Sequence, residues 1–264
     1  MRLISAIKNY FKDIFSYKEL IYNLTLKDLK VRYKTAALGF LWALLNPLIM
    51  MIIFSIVFSL FMKIQIEKYP IFLLTALLPW HFLSQSLSIS TTSIVDNANL
   101  IKKVSFPREI IPISSITANL INFLLSLIVL FIFLIIFKVR FTFMILLLPL
   151  LVLTQFIFTL GISLISCTLY TSYRDVKYIV EVLLLSWFYL TPIFYPLSLI
   201  PQQYQRIYML NPMACIVVMY RDVLLYGNMP NPKVMSYALL ISFSFLIIGL
   251  IIFKKRETIF ADLV

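Results

Sequence analysis

Six stretches of this chain are apolar for long enough to cross a lipid bilayer, and that constrains its fold more than any other feature. They lie at about 36–62, 71–95, 113–137, 143–168, 179–195 and 236–253. A bilayer core is about 30 Å thick and a helix rises about 1.5 Å per residue, so a span needs about 20 apolar residues. Backbone polar groups find no water there, so such runs close their own hydrogen bonds as helices. The chain is 62% hydrophobic and only 13% charged over 264 residues. A soluble domain is nearer half apolar and a quarter charged. The expected fold is therefore an all-α membrane protein, with six transmembrane helices over 35–264 and a peripheral region over 1–34.

The fifth run is the shortest, and Pro192 near its end predicts a break. Beyond it lies "PLSLIPQQYQRIYMLNPMACIVVMYRDVLLYGNMPNP", too long for a turn and too apolar for a free loop. Two short helices, about 201–209 and 212–226, are expected there, punctuated by Pro and Gly. Fifteen residues reach only about 22 Å, short of the about 30 Å core. A re-entrant pair over 196–232, entering from outside, resolves this.

Charge gives the orientation. The tail 1–34, the loop around "NLIKKVSFPREI", the loop "YTSYRDVKY" and the segment after Phe253 hold 16 Lys and Arg, against seven in the opposite connections. The positive side is cytoplasmic, and six spans then leave both termini inside. The net charge of +12 thus serves topology and contact with anionic lipid; no basic groove for nucleic acid can be built from these runs. "MRLISAIKNYFKDIF" lacks a clean apolar core and cleavage site and is expected to be retained rather than removed. Leu3, Ile4, Ile7, Phe11, Ile14 and Phe15 recur at helical spacing, which predicts an amphipathic helix on the inner membrane face. Ser16–Glu19 and Thr25–Asp28 fit the capping pattern for helix starts.

What is missing narrows the function. There is no G-x-x-x-x-G-K-[ST] run, and the four glycines stand at 39, 161, 227 and 249, so no phosphate-cradling loop can form. No carboxylate sits mid-span as an ion-driven transporter would need, and no catalytic constellation or metal-ligand spacing appears. Cys167 and Cys215 are isolated, and the lone His81 reads as packed or interfacial. A chain without an energy source or catalytic set needs a partner that supplies one.

The spans carry uncharged polarity at helical spacing instead. One stripe is His81, Gln85, Ser88 and Thr92; another is Ser115, Asn119, Asn122 and Ser126; a third is Gln155, Thr159, Ser163, Ser166 and Tyr170. Steps of three and four put each set on one face. Such stripes serve interhelical hydrogen bonds or line a wet path. Aromatics crowd "SWFYLTPIFYP", Ser186 to Pro196, beside the expected break. Rings with apolar faces and polar edges suit the weak, repeated contacts of a sliding sugar chain.

Several stretches resemble one family in order along the chain. "LTLKDLKVRYKTAALGFLWALLNPLIMMIIFSIVF", "LLPWHFLSQSLSISTTSIVDNANLIKKVSFPREIIPIS", "YRDVKYIVEVLLLSWFYLTPIFYPLSLIP" and "LNPMACIVVMYRDVLLYG" are similar to polysaccharide-export permeases of the type-2 permease family of ABC transporters. The resemblance implies a permease subunit in the cytoplasmic (inner) membrane that works as a homodimer with two copies of a separate ABC ATPase, which alone uses ATP and Mg. It implies export of a lipid-linked polysaccharide of the O-antigen, teichoic acid or capsule type; a small-molecule, drug or lipid cargo is the alternative. The chain itself then binds no cofactor and is no enzyme. The loop 96–112 matches the family's main coupling helix, so Lys102, Lys103, Phe106, Pro107, Arg108 and Glu109 are the expected ATPase contacts. Tyr173, Arg174 and Asp175 hold the matching place in the second cytoplasmic loop, 169–178. Gln85, Asn122, Tyr189 and Tyr195 are the expected lining of the translocation path.

Overall fold

The computed structural model describes residues 16–34, 41–63 and 66–263. All regular elements among them are helical. In chain order they are α1 (Lys18–Tyr33), α2 (Leu41–Phe54, continued by π-helical turns Ser55–Phe61), α3 (Tyr69–Asp96), α4 (Ala98–Lys103) and α5 (Ile110–Ile136). A 3₁₀ turn, Phe143–Leu147, leads into α6 (Leu148–Ser172), and α7 (Val176–Tyr189), α8 (Gln202–Tyr208) and α9 (Pro212–Arg221, with π-helical turns Asp222–Tyr226) follow. The last are α10 (Pro232–Glu257) and α11 (Phe260–Leu263). The expected amphipathic helix over residues 3–15 lies outside the described residues.

Among the described residues, five helices are long and apolar enough to span a membrane: Leu44–Phe61, Tyr69–Asp96, Ile110–Ile136, Phe143–Ser172 and Pro232–Glu257. The α8–α9 pair, bent by 106°, makes up to six if it counts as one span. The expected fifth span, 179–195, is not a single helix. α7 has 14 residues and so reaches about 21 Å. Pro192 offers no N–H and drives Thr191 out of helical geometry. The chain then bends through buried Thr191, Pro192 and Ile193 before α8.

Helix starts follow their sequence signals unevenly. Proline occupies the first turn of α3, α6, α9 and α10, where its missing N–H leaves nothing unsatisfied. Asn211 and Asn231 cap α9 and α10 by accepting from the N–H groups of Met213 and Lys233. Of the two capping patterns near the N-terminus, Ser16–Glu19 falls at a helix start and Thr25–Asp28 does not. α1 begins at Lys18 with Tyr17 as N-cap, and Thr25 and Asp28 lie inside it. Their side chains turn to α5 instead: Thr25 Oγ1 donates to Ser114 O at 3.3 Å, and Ser115 Oγ donates to Asp28 Oδ2 at 2.8 Å. Tertiary hydrogen bonds have taken the Thr25 and Asp28 groups that the local pattern assigned to a cap.

α3 is the hub. Its stretch Ile71–Trp80 is buried throughout, and it packs against α5, α6, α9, α2 and α7. The α6–α10 pair is the most extensive because two glycines let the backbones meet. A Cβ on Gly161 would stand 2.5 Å from Leu246 N, and one on Gly249 would stand 2.4 Å from Gly161 O. Small residues at such crossings are how helices associate in lipid, where apolar burial offers no drive.

Candidate functional site

Two surfaces carry most of the predicted residues: a groove along the helices and a cluster of loops at one end. The groove, of about 430 Å³, runs between α2, α3 and α7. α2 supplies Met50 and Phe54, α3 supplies Trp80, His81 and Ser88, and α7 supplies Glu181, Phe188 and Tyr189. Its floor is aromatic: Trp80 meets Phe188 edge-on with centroids 5.7 Å apart, and Phe188 stacks on Phe54 at 6.0 Å. Of the three polar stripes, the one on α3 alone opens here. Gln85 and Ser88 are exposed and His81 half-buried. Glu181, which the sequence places at a cytoplasmic end, is an exposed carboxylate facing this groove.

The other two stripes are consumed by packing. On α5, Ser115 and Asn119 hold α1, with Arg32 Nη1 donating to Asn119 Oδ1 at 2.8 Å. Asn122, predicted as path lining, is buried on the same helix, its Oδ1 without a partner among the described residues. On α6, Gln155 Nε2 donates to Pro79 O at 2.6 Å, and Thr91 Oγ1 donates to Ser166 Oγ at 3.0 Å, so this stripe is sealed against α3.

Tyr189 is 58% exposed at the groove rim. Tyr195 is half-buried and folds back, its hydroxyl donating to Tyr189 O at 2.8 Å and meeting the Tyr208 hydroxyl of α8. Two residues that hold this bend escape sequence reasoning. Asn211 accepts from Trp187 Nε1 at 2.7 Å and donates to Leu190 O at 2.9 Å. Arg221, nearly fully buried, donates to Ile193 O at 2.7 Å and lies with Cζ 3.5 Å over the Phe72 ring. The Asn-Pro pair at 211–212 is a recognisable helix start, so Asn211 had a signal. Arg221 had none: in the sequence it counts as one more loop charge.

At the basic end, α4 and the residues after it surround a recess of about 460 Å³ lined by Lys102, Lys103, Val104, Ser105, Phe106 and Arg108 among others. Lys102, Lys103 and Val104 are exposed. Phe106 is half-buried against a cluster of Ile94, Ile101, Ile111, Leu164, Cys167, Phe253 and Phe260. Pro107 is half-buried and opens the turn into α5, its carbonyl accepting from Ile110 N–H at 3.1 Å. Arg108 turns to α10: its backbone N–H donates to Glu257 Oε1 at 3.0 Å, and its Nη1 donates to Glu257 O. Glu109 has no exposed surface and meets Lys254 Nζ at 2.7 Å. Tyr173, Arg174 and Asp175 are all exposed in the turn between α6 and α7. Arg174 stacks over Tyr170 at 5.2 Å and donates from Nη2 to Leu263 O at 3.2 Å.

The surface thus pairs a groove between helices with a compact basic end, and comparison with known proteins gives that pairing a family. Residues 19–225 match the family model described as "ABC-2 type transporter". The chain belongs to the ABC-2 type transporter family. This family is the permease component of a transporter, not its ATPase, and the chain is a multi-pass protein of the inner membrane. An O-antigen export system permease protein, RfbA, of Klebsiella pneumoniae is 36% identical over 246 residues, covering 93% of this chain and 95% of that protein. An RfbA of Myxococcus xanthus is 33% identical over 253 residues, covering 95% and 97%. The polysialic acid transport protein KpsM of Escherichia coli is 27% identical over 245 residues, covering 89% and 92%.

Proposed function

We propose that this ABC-2 chain is the permease of an ATP-driven exporter that moves lipid-linked polysaccharide outward across the cytoplasmic membrane. The observation that carries this is the nearly full-length similarity to permeases for two different glycans, O-antigen and polysialic acid. The groove supports it: a mainly aromatic and aliphatic lining, with His81, Ser88 and the single carboxylate Glu181, suits a sugar chain's C–H faces and hydroxyls. Two copies related by a twofold axis enclose the path between their grooves, since one groove is open along its side. Gln85 and Tyr189 line that path; Asn122 and Tyr195 shape it from behind.

Two copies of a separate ABC ATPase dock at the basic end, which is cytoplasmic, with both termini on that side. Lys102, Lys103, Tyr173, Arg174 and Asp175 form the contact surface. Phe106, Pro107, Arg108 and Glu109 hold that surface in place rather than touching the partner. Region 1–34 is the membrane-surface part, seated on α5 through α1. The α8–α9 pair enters the membrane from outside and turns back; α9 with its π turns is about 22 Å long by its rise per residue, short of a full crossing.

The decisive experiment reconstitutes the chain with its ATPase in vesicles loaded with lipid-linked glycan. ATP-dependent movement of the glycan to the opposite face is expected. Movement without the ATPase, or an unchanged surface polysaccharide in cells that lack this chain, would overturn the proposal.

A further inference from the structure

The short segment Lys254–Leu263 touches both loops of the basic end. To the first loop it offers two ties: buried Glu109 to Lys254 Nζ at 2.7 Å, and the Arg108 backbone N–H to Glu257 Oε1 at 3.0 Å. Lys254 and Glu257 are themselves joined at 2.8 Å, so three charges, Glu109, Lys254 and Glu257, form one network, and Arg108 hydrogen-bonds to it at Glu257. Phe260 then inserts, with no exposed surface, into the cluster made by Ile94 and Ile101 of the α3–α4 corner, Ile111 of α5, and Leu164 and Cys167 of α6. Its ring stands edge-on to Phe253 at 5.1 Å. To the second loop the segment gives Leu263 O as acceptor for Arg174, and α11 packs on both α4 and α6.

We infer that Lys254–Leu263 is a clasp that makes the two basic-end loops a single body. Loop one joins α3 to α5, and loop two joins α6 to α7. α3 and α7 are opposite walls of the groove. A push on either loop alone would shear those walls; with the clasp closed, it moves them together. Glu109, Lys254, Glu257 and Phe260 are positioning residues for coupling, acting through the loops and not by contact with cargo. The inference rests on the proposed docking of an ATPase at this end.

Glu109 is buried, so removing Lys254 alone would strand its charge. The clean variant neutralises both, Glu109→Gln with Lys254→Met, and a second truncates the anchor, Phe260→Ala. Each is assayed in the full complex for ATPase co-purification, ATP hydrolysis, and glycan exported per ATP hydrolysed. The complex is expected to assemble, while export per ATP falls by roughly tenfold, as expected for loss of a coupling free energy of ordinary size. A purely structural role would lower the yield of complex and leave that ratio unchanged, and such a result overturns the clasp. Failure of the unaltered chain to co-purify with an ATPase would strike the docking proposal instead.

A second measurement needs no weakened variant. Spin labels at Ser105→Cys and Ser172→Cys, both exposed positions, report the distance between the loops in the working complex. One narrow distance that holds with and without ATP is expected. A shift of more than about 5 Å, the size of a one-turn slide between packed elements, would show that the loops move separately and would sink the inference.

Discussion

α3 and α6 present the same sequence signal and put it to opposite uses. Each carries uncharged polar residues every three or four positions along an apolar helix. On α6 the stripe faces α3 and is sealed: Gln155, Thr159 and Ser163 have no exposed surface. On α3 the stripe His81–Gln85–Ser88 faces outward: His81 and Ser88 line the groove, and Gln85 is exposed. What separates them is the neighbour. α6 is gripped from behind by α10 through the Gly161–Gly249 crossing, which presses its polar face onto the hub. α3 has only the short α7 and the loosely covered α2 on its polar side, and neither closes over it. Polarity in a membrane helix therefore marks a path only where packing leaves it open.

The largest expected effect breaks the sealed side. Gly161→Leu would drive a side chain into the α10 backbone, where even a Cβ stands 2.5 Å from Leu246 N. Backbone cannot yield as a flexible side chain can, so a cost of more than about 3 kcal/mol is expected, at the upper end for overpacking. The protein should fail to accumulate in the membrane or lose its thermal transition in detergent. Accumulation at the normal level would mean that the α6–α10 crossing is not what holds α6 against α3.

Next comes the open side, with the opposite signature. Ser88→Trp places a large ring in the groove from an exposed position. Since it displaces no packed neighbour, stability should change by less than about 0.5 kcal/mol, as at other exposed sites, while glycan export is blocked. Normal export from a stably inserted Ser88→Trp protein would remove the groove from the path.

Much of this contrast could be read from the sequence, and the part that could not has a physical reason. The apolar runs gave the long helices because lipid leaves the backbone no other solution. Pro192 marked the break after α7 because a missing N–H is a local property. The fate of each polar stripe was not local. It depends on which helix a residue meets, and Arg32 with Asn119, or Gln155 with Pro79, are partners 76 or more positions apart. The same holds for the charged loop. Phe106, Arg108 and Glu109 look like a docking surface in sequence, yet their neighbours, Glu257, Lys254 and Phe260, lie about 150 residues further on. Arg221 is the plainest case: a single arginine beside an aspartate reads as a loop charge, and burial in a three-way contact left no trace in the pattern.

The smallest effect tests whether the sealed stripe is held by its hydrogen bonds or merely tolerates them. Gln155 is fully buried, donates to Pro79 O, and leaves its Oε1 without a partner among the described residues. Leu has nearly the same volume. Gln155→Leu loses one hydrogen bond, net about 1 kcal/mol, and removes an orphan acceptor whose burial costs about as much. Pro79 O keeps the helical N–H donor that an α-helix provides four residues on. The two terms offset, so thermal stability in detergent should stay within about 1 kcal/mol of the unaltered protein. If Gln155→Leu instead costs as much as a core truncation, the α3–α6 seam is a specific hydrogen-bond network. Its difference from the open α3 stripe would then lie in partner chemistry rather than in the grip of α10.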